Sequence, residues 1–453
     1  MNALLIDPYI FDFTAYDFWI KPLGLLKLAR VLKRNNITVR FLDCLDRQGQ
    51  SGGSSYSEKN YSTGKYFKKE LPKEGILKRI PRRYSAYGIP FEEFHSKLNS
   101  LTVPDVVFIA GGLTYRYPGV FYVIGEIKKR FGNVPVVLGG IYPTLCGGHA
   151  KEHSGADIVV EGKAVNSIKS IIGNIYGLNP DIREEDFLYP DYGLYPKLEF
   201  ASLATSSGCP FACDYCASAY LGGELNQLDP ENTAEYIISL IREKGVKDIV
   251  FYDDALFFRA NSHILPILEK LVSSGAKAAL HAPNAIHARY IDSTAADLMK
   301  KAGFKTVRLG LESWDDAFNL STGGKVNRDD FVRAALNLKK AGFSEKETGS
   351  YILCGLPGTK LTEVKKSVDF SYDHGIRPYL AEYSPVPHTR IYGEITEKLG
   401  ISLEDPLSHH REVFRSLLGE TSREDIDALK RYAGAKGSPC SQNAPGTANA
   451  AVC

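Results

Sequence analysis

Two successive series of short, unbroken apolar runs, each followed by a stretch that is apolar at helical spacing, dominate this chain. Such runs, rich in Val, Ile and Leu without polar alternation, are strands buried on both faces. Their regular alternation with amphipathic helices builds parallel sheets covered by helices. In the first series Ala3-Leu4-Leu5-Ile6 precedes a helical stretch over Pro22–Leu32. Thr38–Leu42, Asp105–Ile109, a helix over about Val120–Phe131, Val136–Leu138 and Ala156–Val160 then follow. Pro135 stands at the entry of a strand, where its missing N–H is tolerated. This predicts a doubly wound α/β domain over residues 1–175, with a Ser/Gly/Tyr/Lys-rich insertion at about 48–100 that turns helical near Pro90–Leu101. Residues 176–198, with Pro180 and Pro190, read as a linker. In the second series, strands near Phe200–Thr205, Asp248–Tyr252, Ala278–His281, Thr306–Gly310, Ser350–Leu353 and Pro378–Glu382 alternate with helices. They predict a partial (β/α)6 barrel over 199–395, with its chemistry at the strand C-terminal ends. Residues 396–435 read as C-terminal helices and 436–453 as a disordered tail.

Composition narrows the function classes. With 453 residues, 44% apolar and 24% charged, the chain is neither disordered in the main nor a small disulfide-stapled scaffold. Fifty-five basic against 53 acidic residues leave +2 and no basic stripe, so a nucleic-acid partner is not expected. The first twenty residues hold three Asp and no Lys or Arg, unlike a signal peptide. No segment approaches the roughly 18 uninterrupted apolar residues of a membrane helix. A cytoplasmic enzyme with eight reduced cysteines is the expectation.

Three of those cysteines, Cys209, Cys213 and Cys216, form C-x3-C-x2-C directly after the first strand of the second series. Thiolates crowded on one loop suit an iron–sulfur cluster, which usually takes four; three leave one iron open to a substrate or cofactor. Zinc prefers C-x2-C pairs with a further Cys or His, and no His lies within forty residues on either side. A disulfide would leave one thiol over and suits neither spacing nor compartment.

With Tyr215 before its last cysteine, this motif on the first loop of a partial barrel resembles the radical S-adenosylmethionine (SAM) superfamily. The resemblance implies a [4Fe-4S] cluster on Cys209, Cys213 and Cys216 that binds SAM and, when reduced, cleaves it to methionine and a 5′-deoxyadenosyl radical. It also implies an oxygen-sensitive enzyme with a small-molecule substrate and an electron donor such as ferredoxin or flavodoxin. SAM-binding positions follow at Tyr215, Asp253, Asp254, Asn284, Glu312, Ser313, Gly355 and Gly358, although the family's commoner Gly-Gly-Glu form is absent at the second strand. Glu382 and Tyr383 close the sixth strand and are expected to face substrate. Read from the residues alone, either aspartate also suits a helix N-cap, Asn284 a turn and the Gly355–Gly358 run a tight βα connection.

In the first series Pro22–Ala29, Leu138–Thr144 and Ala156–Gly162 resemble the cobalamin-binding domain fused to one large group of these enzymes; the two resemblances cover residues 1–395. Cobalamin would lie against Gly111, Gly112, Gly139 and Gly140, with Thr144 and Glu161 beside it. Lys21 occupies the place of the usual lower-ligand histidine, so no protein ligand from below is expected. A doubly wound domain with an altered pocket is the alternative. The leading expectation is methyl transfer to a small molecule or a cofactor or natural-product precursor. Its rivals are cobalamin-independent radical chemistry (cyclisation, rearrangement or oxidation) and a non-catalytic iron–sulfur protein. Cys44, Cys146 and Cys354 read as buried thiols, with a weak metal hint where Cys146 neighbours His149 and His153. Cys440 and Cys453 lie in the tail, and His409-His410 reads as part of an exposed helix.

Overall fold

Burial on both faces is what the strands show: Val106–Gly111 and Thr348–Cys354 are buried along nearly their whole length. This computed structural model describes residues 1–47 and 60–435. The chain forms two compact units, Met1–Leu198 with Leu403–His410, and Glu199–Ser402 with the residues from Arg411 on.

The first unit holds five parallel strands in the spatial order Thr38–Asp43, Asn2–Asp7, Val106–Gly111, Val136–Gly140, Ile158–Val159. Successive side chains point to opposite faces. Ala3, Leu5, Val106 and Phe108 pack with Leu25, Leu28 and Leu32 of helix Leu23–Arg34 and with Ile168 and Ile172 of helix Val165–Tyr176. Alternate residues Leu4, Ile6, Val107 and Ile109 are buried as well. The strand order reverses between Asn2–Asp7 and Val106–Gly111, and in open α/β sheets the crevice at such a point is where ligands bind. The insertion is more structured than its composition suggests. Ile10–Asp12, Tyr84–Tyr87 and Lys68–Leu71 make a three-stranded antiparallel sheet, followed by helix Phe91–Ser100. Its residues 48–59 lie outside the described residues, as does the tail 436–453 with Cys440 and Cys453.

Two expectations need correction here. Residues 176–198 are no free linker: Lys33 pairs with Asp191 at 2.7 Å, Arg34 with Asp186, and Tyr195 donates to Asp43 at 2.6 Å, so the stretch is fastened to the first unit. Nor are His409 and His410 exposed; they are 1% and 5% accessible. His409 lies 2.9 Å from both Thr114 Oγ1 and the Leu403 carbonyl, and His410 Nε2 lies 3.1 Å from Asp12 Oδ1. Partners at their ring nitrogens are what allow burial.

In the second unit six parallel strands lie in chain order: Phe200–Leu203, Asp248–Phe251, Ala279–His287, Phe304–Glu312, Thr348–Cys354, Arg377–Glu382. The first and the last are open edges. Three of the five crossover helices begin at side-chain caps. Asp229 accepts from Asn232 N ahead of Pro230–Lys244, Asp292 from Ala295 N ahead of Ser293–Ala302, and Asn327 from Asp330 N ahead of Arg328–Lys340, each at 2.8 Å. Helices Ile264–Ser274 and Leu361–Asp373 complete the crossovers, and Arg390–Lys398, Arg411–Leu418 and Arg423–Ala435 follow the sixth strand. Among the described residues no helix is long and apolar enough to cross a membrane.

Candidate functional site

The cysteine loop leaves the first strand of the second unit and closes tightly on itself. A Cβ on Gly208, at φ +78°, would lie 2.6 Å from the Gly223 carbonyl oxygen, and one on Gly222 would lie 2.4 Å from Gly208 N. Cys213 is buried, Cys209 and Cys216 half-buried, and the six described cysteines are all free of disulfides. Gly323, at φ +128°, backs onto the loop so closely that a Cβ there would sit 2.8 Å from Cys213 Cα. Ser218 N donates to Cys216 Sγ at 3.4 Å. Burial pushes the Cys209 and Cys213 thiols up to about 11, while the Lys325 ammonium pulls both down.

Around this loop stand the ends of the other strands. Asp253 Oδ1 accepts from Thr205 Oγ1 at 2.7 Å and Ser206 Oγ at 2.6 Å, and Thr205 Oγ1 also lies 2.8 Å from His263 Nε2. The second Asp253 oxygen is buried without a hydrogen-bond partner among the described residues, a vacant acceptor of the kind a ligand donor fills. Burial pushes its neighbour Asp254 up to about 6, opposed by the Ser218 hydroxyl. Asn284 sits on a bulge where the register passes from Ala282↔Val307 to Ile286↔Leu309, and its Nδ2 donates to the Tyr252 carbonyl at 3.0 Å. Glu312, at φ +59°, pairs with Lys325 at 2.6 Å; their side chains are 5% and 11% exposed. Lys325 Nζ also lies 5.6 Å from the centroid of the buried Tyr215 ring. Ser313 is turned to local use, its hydroxyl accepting from Asp315 N at 3.1 Å. Gly355 and Gly358 hold φ of +79° and +75°, and Gly358 N donates to Glu420 Oε2 at 2.7 Å.

Sequence reasoning missed Lys325, the cation at the centre of this group. The Gly323-Gly324 pair before it, marking a close approach of backbone, is the signal that leads to it. It also missed His287, buried at the end of the third strand with its ring centroid 4.7 Å from that of Phe211 in the cysteine loop. Glu382, expected to face substrate, is instead 4% exposed and enclosed by Arg415 at 2.6 Å, Lys430 at 2.7 Å and Arg411 at 3.6 Å. Tyr383 packs edge-on against Phe414 with centroids 5.7 Å apart. Both fasten the C-terminal helices to the sixth strand. Burial acts to raise Glu382, but Arg411, Lys430 and Arg415 outweigh it and hold the carboxyl at about 2 against an ordinary 4.5. With the folded value depressed, its contribution to stability is complete above the ordinary value and is lost as pH falls from about 4.5 towards 2. Glu382→Gln is therefore expected to cost about 3–5 kcal/mol at neutral pH, with the gap to wild type closing on acidification. Urea unfolding across pH checks this.

In the first unit the glycines divide into two pairs. Gly111 and Gly140 are needed for packing, since a Cβ on Gly140 would lie 2.5 Å from Gly111 O and one on Gly111 2.6 Å from Pro143 Cδ. Gly112 and Gly139 are open: nothing lies within 4 Å of a Cβ on the former, and only Val160 Cβ at 3.9 Å on the latter. Thr144 Oγ1 donates to Gly140 O at 2.7 Å and accepts from Gly162 N at 2.9 Å, tying two strand-end loops together, while Glu161 pairs with Lys151 at 2.7 Å. Lys21 lies 3.7 Å from the buried Asp43 and 3.9 Å from the Tyr195 ring centroid. His149 Nδ1 lies 2.7 Å from Tyr142 OH. Among the described residues no three His, Cys, Asp or Glu side chains are grouped as ligands of one metal ion, so the hint at Cys146 carries no site. The three loop cysteines are likewise not grouped for a single ion; a four-iron cluster engages its thiolates one per iron.

Residues 203–371, which run from the first strand through the fifth crossover helix, match the family described as the radical SAM superfamily. That stretch of the second unit is thus similar to a radical SAM domain. The chain is 26% identical over 325 residues to an uncharacterized methyltransferase of Pyrococcus horikoshii, covering 64% of this chain and 69% of the relative. Its fold is similar to that of the radical SAM methyltransferase TsrM from Kitasatospora setae, determined with tryptophan substrate and a SAM analog. The TM-score is 0.65 at 16% identity, covering 88% of this chain and 76% of that one. OxsB, a cobalamin-dependent SAM radical enzyme determined with aqua-cobalamin and SAM, gives 0.57 at 13% identity, over 88% of this chain and 55% of that one. At such identities the likeness is one of fold, and it covers the α/β architecture expected from the sequence. The residues present fit the groups a domain of that kind would hold: three thiols on one glycine-closed loop would suit a [4Fe-4S] cluster, and the vacant Asp253 acceptor would suit the ammonium of a bound amino acid.

Proposed function

We propose that this radical SAM enzyme is a cobalamin-dependent methyltransferase acting on a small organic molecule. The observation that carries the reading is the glycine-closed Cys209–Cys213–Cys216 loop at the C-terminal end of the first of six parallel strands, on a chain that begins with a doubly wound unit. The methyltransferase names of the relatives support the reaction class. In this reading Cys209, Cys213 and Cys216 hold a [4Fe-4S] cluster. Tyr215, Asp253, Asp254, Asn284, Glu312, Gly355 and Gly358 stand around SAM, with Lys325 added to them. Gly112 and Gly139 offer bare backbone to a broad, flat corrin, and Thr144 fixes the loop beside them. Lys21 is engaged with Asp43, so no ligand from below is assigned. When bound, the cluster supplies the electron that cleaves SAM, and the corrin supplies a transferable methyl group. The chain's own part is to position and to keep water out: Asp253 holds both hydroxyls at the entry of the cysteine loop, and the buried Glu312–Lys325 pair sets fixed charge beside it. Electrons would come from a ferredoxin- or flavodoxin-like donor.

The test is anaerobic reconstitution with iron and sulfide, then reductant, SAM and hydroxocobalamin, with product chromatography and a corrin spectrum. The expected result is 5′-deoxyadenosine together with S-adenosylhomocysteine and a bound, methylated corrin. Cleavage without corrin uptake removes the cobalamin half of the reading; no iron uptake and no cleavage removes all of it.

A further inference from the structure

Asp214 stands inside the cysteine motif, between Cys213 and Tyr215, and nothing above gives it a role. Its backbone N–H, its carbonyl and one carboxylate oxygen are engaged, by segments that follow two different strands. Asp214 N donates to the Thr322 carbonyl at 3.2 Å, beyond the fourth strand. Beyond the sixth, Ile391 N donates to the Asp214 carbonyl at 3.1 Å and Arg390 Nη2 donates to Asp214 Oδ2. Arg390 is braced in turn by Glu394, 2.7 Å from Nη1.

The Arg390 and Ile391 contacts cross a particular gap. Strands Phe200–Leu203 and Arg377–Glu382 are the two edges of the open sheet, with no ladder between them, so the loop after the first strand has no sheet neighbour on that side. A second contact spans the same gap. Tyr220, on the short helix Ser218–Gly222 just past Cys216, stacks on His388 with centroids 4.0 Å apart and planes 7° from parallel. His388 holds φ +67°, a conformation that costs a non-glycine residue and persists where its surroundings impose it.

We infer that Asp214 is a positioning residue for the cluster loop, and that Arg390 with the Tyr220–His388 stack forms a clasp across the open edge of the barrel, holding the thiols of Cys213 and Cys216 in place. The inference rests on the reading of this loop as an iron–sulfur site. Arg390 and Tyr220 are about half exposed, at 53% and 50%, so both can be truncated without opening the core.

The experiment uses the full chain, reconstituted anaerobically, and follows iron release to a ferrous chelator, with the EPR spectrum of the reduced cluster and a thermal melt alongside. In the double variant Arg390→Ala/Tyr220→Ala, an exposed charged pair and an aromatic stack are lost together. Iron release is expected to accelerate about tenfold, with a broadened EPR signal and a melt lowered by no more than a few degrees; in Arg390→Lys, which keeps the charge, most of the retention should remain. Wild-type release from the double variant, with iron fully loaded in both, would overturn the clasp and leave the cluster reading intact. A wild-type chain that takes up no iron overturns both.

Discussion

Replacing Cys213 by serine is expected to abolish iron loading and SAM cleavage together: iron content should fall to background, and 5′-deoxyadenosine to the level found without enzyme. Of the three loop cysteines Cys213 is the most buried, and the backbone of Gly323 lies against it, a Cβ there falling 3.1 Å from its Sγ. A serine hydroxyl fits the space but does not ionise to a soft ligand, so the variant should fold and fail only in chemistry. Cys354→Ser is the matched control, a buried thiol beyond the cysteine loop that should keep its iron. Iron assay and product chromatography read both; full iron and cleavage in Cys213→Ser would sink the cluster assignment.

The second large effect lies in stability. Lys325→Met is expected to destabilise the protein by about 3–5 kcal/mol, because it leaves the Glu312 carboxylate buried without its partner. Burial acts to lower Lys325, but Glu312, Tyr215 and Cys213 outweigh it and raise the ammonium above its usual range, so it stays charged at neutral pH. Met keeps an apolar stem of similar length and removes the ammonium, with its charge and its donors to Glu312. The double variant Lys325→Met/Glu312→Gln, with no stranded ion, should recover most of the loss. Urea unfolding at pH 7 decides the matter: a single variant within 1 kcal/mol of wild type, about the value of an exposed pair, would mean that water reaches Glu312 freely.

The strands were legible in the sequence because burial on both faces leaves an apolar run with no alternation to confuse it. Their ends were less so. The third strand of the second unit extends to His287 because Pro283, Asn284 and Ala285 bulge out of the ladder, and no local pattern announces a bulge that ends by resuming the pairing. Lys68-Lys69-Glu70 escaped notice as a strand since its side chains are exposed and it lies on the edge of its small sheet. The stretch 176–198 has the prolines and acids of a linker, but Asp186, Asp191 and Tyr195 find their partners more than 150 positions away, at Arg34, Lys33 and Asp43. Glu382 misled for the same reason: its place at a strand end suggests substrate, while the three cations that enclose it come from later helices. The cysteine motif, by contrast, is local: its spacing stands in eight consecutive residues, Cys209 to Cys216, so the proposal made for it needed no fold. Lys325 was not, because its meaning depends on a buried partner at Glu312.

The eight residues Leu403–His410 belong to the first unit, although the chain reaches them only after the six strands of the second have passed. They bring His409 to Thr114 and His410 to Asp12, both buried polar groups of that first unit. A nascent chain that has emerged only as far as Leu198 thus carries all five strands of its first sheet, yet lacks the imidazoles that meet Thr114 and Asp12. During synthesis the N-terminal half must wait for residue 410 before its interior is complete, and cutting between Leu198 and Glu199 would not yield two self-sufficient pieces.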